Sequence, residues 1–251
     1  MFDLSGKTAL VTGSGRGIGL VLARGLAKAG ARVVVNDLEN DVVDAAVEGL
    51  RRDGLRAEGI AFDVTDREAI HAGIDRLEQD VSPLDILINN AGIHRRAPLA
   101  EMSADDWRLV IDTNLTSAFL VGQRAARTMI ARNRGKIVNI CSLNCELPRP
   151  SIANYSAAKG GLVLLTRSMT VEWASHNIQA NGIAPGYILT EMTRPLSEDR
   201  ERNAWILGRI PAGRWGKPED LIGAAVFLSS AASDFINGHV IFADGGMRVS
   251  L

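Results

Sequence analysis

The sequence predicts an α/β fold: one domain built on a seven-stranded parallel sheet with helices on both faces. Three observations carry this. Short, continuous apolar runs recur along the chain, as strands buried on both faces require. Helical patterns separate them, and that alternation produces a parallel sheet. The 251 residues, 46% of them hydrophobic, contain no linker, repeat or long polar tract, so one large core can form.

The elements follow in order. Residues 8–12 are a short apolar run ending at glycines, the first strand. A helix runs from Gly17 to about Gly30. The β-branched run 32–36 is the second strand, and a helix occupies roughly 40–53. Residues 61–64 end a third strand, and Asp66 can cap a helix reaching about Asp80. Residues 86–88 are the fourth strand. A long helical stretch covers roughly 103–132, with a break expected near 103–105. Strand five is 136–140. The next helix holds Tyr155 and runs to about Ser175, and strand six is 178–183. Helical material follows, in which 205–211 reads as a lid. The Gly/Pro-rich stretch 211–218 punctuates the domain rather than dividing it. Strand seven is 240–242.

Composition excludes several classes. Charges nearly cancel, with 28 Lys+Arg against 29 Asp+Glu. No basic block or acidic tail points to nucleic acid or a membrane surface. No run reaches the roughly 18 apolar residues that span a bilayer. The N-terminus enters strand one at once, without a charged-then-apolar leader. Cys141 and Cys145 are too few for a disulfide framework and lack partners for a metal site. Reduced thiols in a cytoplasmic protein are the expectation.

The first βα turn reads Thr12-Gly13-Ser14-Gly15-Arg16-Gly17-Ile18-Gly19. The spacing Gly13-x-x-x-Gly17-x-Gly19 differs from the commoner G-x-G-x-x-G but uses the same physics. Glycines allow a tight turn, close backbone approach to a pyrophosphate and close helix–strand contact. The helix N-terminus offers free N–H groups and the positive end of its dipole to phosphates. The sheet is therefore expected to be a Rossmann-like dinucleotide fold. Asp37 directly follows strand two, where an acidic residue accepts from the adenosine ribose 2′-OH and repels a 2′-phosphate. NAD is the expected cofactor, while Arg16, able to reach a 2′-phosphate, keeps NADP open.

Tyr155 and Lys159 stand four apart and share a helix face. A phenol is a poor base at neutral pH. A nearby ammonium lowers its pKa by roughly 1–3 units, which makes it a usable acid/base.

These motifs fall in order over the whole chain and resemble those of the short-chain dehydrogenase/reductase family. The residues carrying the resemblance are Thr12 to Gly19, Asp63, Asn89-Asn90-Ala91-Gly92, Asn114, Ser142, Tyr155, Lys159, Pro185-Gly186 and Thr190. Within that family, the runs 90–96, 139–142, 184–187, 190–193, 214–216 and 221–230 are most similar to the gluconate 5-dehydrogenases. Residues 143–146, Leu-Asn-Cys-Glu, depart from that group's pattern on the substrate side.

The resemblance implies an NAD(P)-dependent enzyme that interconverts a secondary alcohol and a ketone. Tyr155 would move the proton, Ser142 would hold the carbonyl oxygen, Lys159 would tune Tyr155 and hold the nicotinamide ribose, and Asn114 would position a relay water. Asn90, Ala91 and Gly92 would line the adenosine side, with Leu38, Asp63 and Val64 in the same cofactor set. Pro185, Gly186, Ile188 and Thr190 would fix the carboxamide. About 1–140 would bind dinucleotide, and about 141–251 would carry catalysis and substrate. The expected substrate is a small sugar acid, D-gluconate or 5-keto-D-gluconate. Arg96, more than Arg95, would fork to its carboxylate, and Glu146 and Arg149 would meet hydroxyls. His94 reads as exposed.

A homotetramer is implied. The helix after strand five carries Leu162, Val163, Leu164, Leu165, Met169 and Val171 on more than one face, and the closing run 245–251 ends in apolar residues that a monomer would expose. Two other readings stay open. One is a reductase of a different carbonyl, such as a 3-oxoacyl thioester or a ketose. The other is a catalytically silent nucleotide-sensing regulator.

Overall fold

The protein is described here by a computed structural model covering residues 1–250. Leu251, the last residue of the closing run 245–251, lies outside the described residues. The strands are β1 (Thr8–Val11), β2 (Arg32–Asp37), β3 (Ala57–Ala61), β4 (Ile86–Asn89), β5 (Gly135–Ile140), β6 (Ile178–Pro185) and β7 (Val240–Ala243). They form one sheet in the order β3-β2-β1-β4-β5-β6-β7. Every pairing is parallel. The chain order reverses between β1 and β4, the switch point at which such sheets open a crevice.

Alternate residues of each strand feed two cores. Ala9 and Val11 of β1 and Ile86 and Ile88 of β4 point to one face, Leu10 and Leu87 to the other. The first face is covered by α1 (Gly17–Lys28), α2 (Asn40–Arg52) and α9 (Ile222–Ser229), through Leu22, Leu26, Val43, Leu50 and Leu228. The second is covered by α3 (Arg67–Asp80), α5 (Ser117–Ala131) and α6 (Ala153–Trp173), through Ile70, Ile74, Val121, Met129 and Met169. The remaining helices are α4 (Ala104–Ile111), α7 (Arg194–Glu198) and α8 (Arg200–Leu207).

Three sequence expectations are corrected. Strand three stops at Ala61 rather than Val64, because the Asp63 carboxylate turns back to accept from the Thr65 N–H and hydroxyl, both at 2.8 Å. Strand six runs on to Pro185. The 103–132 helix does not break at 103–105. Ser103 instead starts it, its hydroxyl accepting from Asp106 N–H at 3.0 Å. The irregularity lies at Asp112–Thr116, a π-helical turn. There Thr113 and Ser117 hydroxyls donate back to the carbonyls of Leu109 and Thr113, at 2.8 and 2.6 Å. No helix among the described residues is long and apolar enough to cross a membrane.

Candidate active site

A parallel sheet delivers the C-terminal ends of all its strands to one edge, so motifs far apart in sequence meet there. At the end of β1, Gly13 (φ +60°) and Gly17 (φ +59°) take left-handed backbone that other residues avoid. A Cβ at Gly13 would lie 2.9 Å from the Ala91 Cα, and one at Gly19 would lie 2.4 Å from the Gly13 carbonyl oxygen. Ser14 ties the turn down, its hydroxyl donating to Val11 O at 2.6 Å and its N–H to Asn36 O at 2.8 Å. The Asn90 amide donates to Thr12 O and Gly13 O, each at 2.9 Å, joining the ends of β1 and β4.

The first turn of α1, with Arg16 at the cap and Ile18 behind it, has no side-chain cap and no acidic residue. A bare loop and free helix N–H groups fit the pyrophosphate of a dinucleotide. Asp37 ends β2, its carboxylate accepting from Gly15 N–H at 3.1 Å and Leu38 N–H at 2.9 Å. Leu38 is exposed beside it, whereas Val64 is buried.

At the other half of the edge, Ser142 follows β5 in extended backbone and accepts from Asn144 N–H at 3.1 Å. Tyr155 and Lys159 rise from the first turns of α6. Lys159 is buried and donates to Ile140 O at 2.7 Å, with its Nζ 5.6 Å from the Tyr155 ring centre. The expected lowering of the tyrosine pKa by this cation is corrected here. Burial dominates both groups, pushing Tyr155 up to about 12 and Lys159 down to about 8. Hydrogen bonding from Ser142 is the opposing influence on the phenol.

The buried Asn114 sits in the π-helical turn. Its amide donates to Ile93 O at 3.0 Å and Val110 O at 2.9 Å, and its Oδ1 is buried without a partner. Gly92 makes room for that oxygen, since a Cβ there would approach it to 2.6 Å. Past β6, Gly186 N–H donates to Ala243 O at 3.0 Å. Ile188 is buried, and Thr190 N–H donates to the Thr193 hydroxyl at 2.9 Å.

His94 is not exposed. It is half-buried and stacks on Tyr155, with ring centres 3.8 Å apart and planes 25° apart. Burial holds its imidazole at about 4, the charges of Arg96 and Lys159 adding to the effect. Asn154 fixes this neighbourhood, donating to the carbonyls of Arg95 and Asp106 at 3.2 and 3.4 Å and accepting from Tyr155 N–H at 2.8 Å.

The two adjacent arginines separate. Both are exposed, and Arg95 pairs with Asp106 at 3.7 Å. Arg96 instead lines a cleft of about 490 Å³ with Arg149, Leu196, Glu201, Trp205 and Ile206. Trp205 and Ile206 lie on α8, in the segment read as a lid. Glu146 lies outside that lining, because its carboxylate is forked by Arg248 at 2.5 and 3.2 Å. No motif in the sequence announces the His94 stack, the π-helical turn or the Glu146–Arg248 pair.

Comparison with known proteins finds relatives that span the whole chain. The short chain dehydrogenase family model matches residues 7–201. A gluconate 5-dehydrogenase of Gluconobacter oxydans (strain 621H) is 55% identical over 251 residues, covering 100% of this chain and 98% of the relative. A 5-keto-D-gluconate 5-reductase of Escherichia coli (strain K12) is 51% identical, covering 100% and 99%. The crystal structure of a gluconate 5-dehydrogenase from Burkholderia cenocepacia J2315, in complex with NADP and tartrate, superposes with a TM-score of 0.97 at 50% identity, covering 100% and 98%.

Proposed function

The chain belongs to the short-chain dehydrogenase/reductase family, and from that premise we propose that this NAD(P)-dependent oxidoreductase interconverts D-gluconate and 5-keto-D-gluconate. The observation that carries the reading is Arg96. It lines the cleft without an acidic partner among the described residues, two residues from the ring stacked on Tyr155. A sugar acid supplies the carboxylate it lacks.

The nicotinamide, when bound, supplies or accepts the hydride. The chain's own residues handle the proton and the charge. Tyr155 takes the proton of the substrate hydroxyl in oxidation and returns it in reduction. With its phenol near 12 it is protonated at neutral pH, the form needed to reduce a ketone. Ser142 donates to the carbonyl oxygen where charge develops. Lys159, still charged at pH 7, would hold the nicotinamide ribose. The unpartnered, buried Oδ1 of Asn114 would accept from a relay water.

Asp37 favours NAD, since its carboxylate meets a ribose hydroxyl better than a phosphate. Arg16 leaves NADP usable, the cofactor carried by the Burkholderia cenocepacia protein. The proposed assembly is a homotetramer, for which the exposed Leu164 (61%) and Val171 (85%) on α6 supply apolar surface. A monomer in light scattering at micromolar concentration would reject it.

A panel of sugar acids, neutral polyols and 3-oxoacyl thioesters, run with both cofactors, tests the substrate. Gluconate should rank first. No turnover of any of them would favour a silent regulator. Arg96→Ala should remove a charge-assisted hydrogen bond of about 1.5–3 kcal/mol. That is roughly 10–150-fold in kcat/KM on gluconate, with much less lost on a neutral polyol of equal length. Equal losses on the two would sink the sugar-acid reading.

A further inference from the structure

The cleft contains a second arginine that this reading leaves without a role in recognising the acid. Arg149 is half-buried, with its guanidinium carbon 5.1 Å from the Tyr187 ring centre and 4.9 Å from that of Trp205. It makes no ion pair with any described carboxylate. The charges pressing on it are like its own, namely Arg96, Arg202 and Arg209. Of these, Arg202 pairs with Asp199 at 3.4 Å, and Arg209 lies over the Trp205 ring at 4.0 Å. Glu201 is the one acidic residue on the cleft lining, against Arg96, Arg149 and Arg202.

Aromatic faces hold a guanidinium in place while leaving its five N–H donors free. A carboxylate partner would have consumed some of them. The Tyr187 hydroxyl beside it is also buried without a partner. A half-buried cation among like charges is costly unless an anion joins it. Arg149 and Arg96 line the same space, as the two halves of one anion site would.

We propose that Arg149 is a specificity-determining residue which, together with Arg96, grips the carboxylate of the substrate and makes the cleft select acids over neutral polyols. This rests on the sugar-acid reading above. Because Trp205 belongs to α8, the same bracket ties the anion to the helix covering the cleft.

The test uses the full chain with bound cofactor and two variants. Arg149→Met keeps the apolar stem and drops the charge. Arg149→Lys keeps the charge and drops the planar fork. Tartrate serves as an anionic probe in calorimetric titration, and kcat/KM is measured on gluconate and on sorbitol. Arg149→Met should weaken tartrate binding and gluconate kcat/KM by roughly 10–150-fold, the loss of one charge-assisted hydrogen bond. The loss on gluconate should fall mainly on KM, because the carboxylate is held alike before and during the reaction. Sorbitol should change by less than about threefold, and Arg149→Lys should recover part of the loss.

Unchanged tartrate affinity in Arg149→Met overturns the proposal. So does an equal loss on both substrates accompanied by a lower melting temperature, which would assign Arg149 to packing. If the unmodified protein fails to oxidise gluconate, the sugar-acid reading falls, and the tartrate titration still decides the anion role of Arg149.

Discussion

Substituting Gly19 by alanine tests the dinucleotide cradle directly. The added Cβ would lie 2.4 Å from the Gly13 carbonyl oxygen, 2.5 Å from the Asn90 Nδ2 and 2.8 Å from the Ser14 Cα. Two of those three atoms are backbone, so a side-chain rotation cannot relieve the contact. The Asn90 amide would be pushed from its two acceptors, Thr12 O and Gly13 O. Overpacking costs about 1–3 kcal/mol, and each lost hydrogen bond about 1 kcal/mol. The better helix propensity of alanine offsets about 1 kcal/mol of this. A net loss of roughly 2–4 kcal/mol should lower the melting temperature by roughly 5–15 °C in a chain of this size. Displacing the loop would also take away the backbone donors proposed for the phosphates, so the NAD dissociation constant should rise at least about tenfold. Calorimetric titration of NAD and a thermal melt read the two effects. Gly49→Ala in α2 is the control, because its Cβ would meet nothing within 4 Å. It should stabilise by about 0.5–1 kcal/mol through helix propensity. A Gly19→Ala protein that melts with the unmodified one and binds NAD within about twofold would refute the cradle.

Three further outcomes are expected. Tyr155→Phe should lower kcat by about 10²–10⁴-fold while cofactor affinity stays nearly constant; a variant retaining more than about a tenth of the rate would strip Tyr155 of its acid/base role. Asp37→Ala should raise the ratio of NADP to NAD kcat/KM, and an unmodified enzyme that already prefers NADP would hand control to Arg16. His94 is held at about 4 in the fold against 6.5 as its ordinary value, so its contribution is present above pH 6.5 and is lost as pH falls from 6.5 through 4. The loss reaches at most about 3 kcal/mol. Chemical denaturation from pH 7 to 4.5 should show a shallower decline in His94→Phe, which keeps the stack, and identical declines would mean the imidazole does not titrate as its burial requires.

Much of this protein was legible in the chain, because local chemistry decides it. The apolar runs of β1, β2 and β4 are continuous since both faces of a parallel sheet are covered, and a reader of residues 8–12 or 32–36 meets that directly. Glycines at 13 and 17 mark backbone that only they adopt easily. The four-residue spacing of Tyr155 and Lys159 puts them on one helix face without help from the fold. The boundaries were less legible. Strand three ended early through a side-chain turn at Asp63, and the 103–132 helix widened at Asn114 instead of breaking at Ser103.

Only the tertiary structure decided which charged and aromatic groups meet. Glu146 finds Arg248, 102 positions away, and so lies off the cleft lining, while Arg96 and Arg149 line it together. His94 comes to lie on Tyr155, and Arg149 between Tyr187 and Trp205. Sequence spacing sees neighbours within a turn or a strand; it does not see contacts between elements joined by loop closure. Nor does it see desolvation. The chain places a cation near a phenol, which alone would lower its pKa, but the surrounding protein buries Lys159 and part of Tyr155 and moves Tyr155 up and Lys159 down. Which influence wins depends on how much matter packs around the pair, and that exists only in the folded molecule.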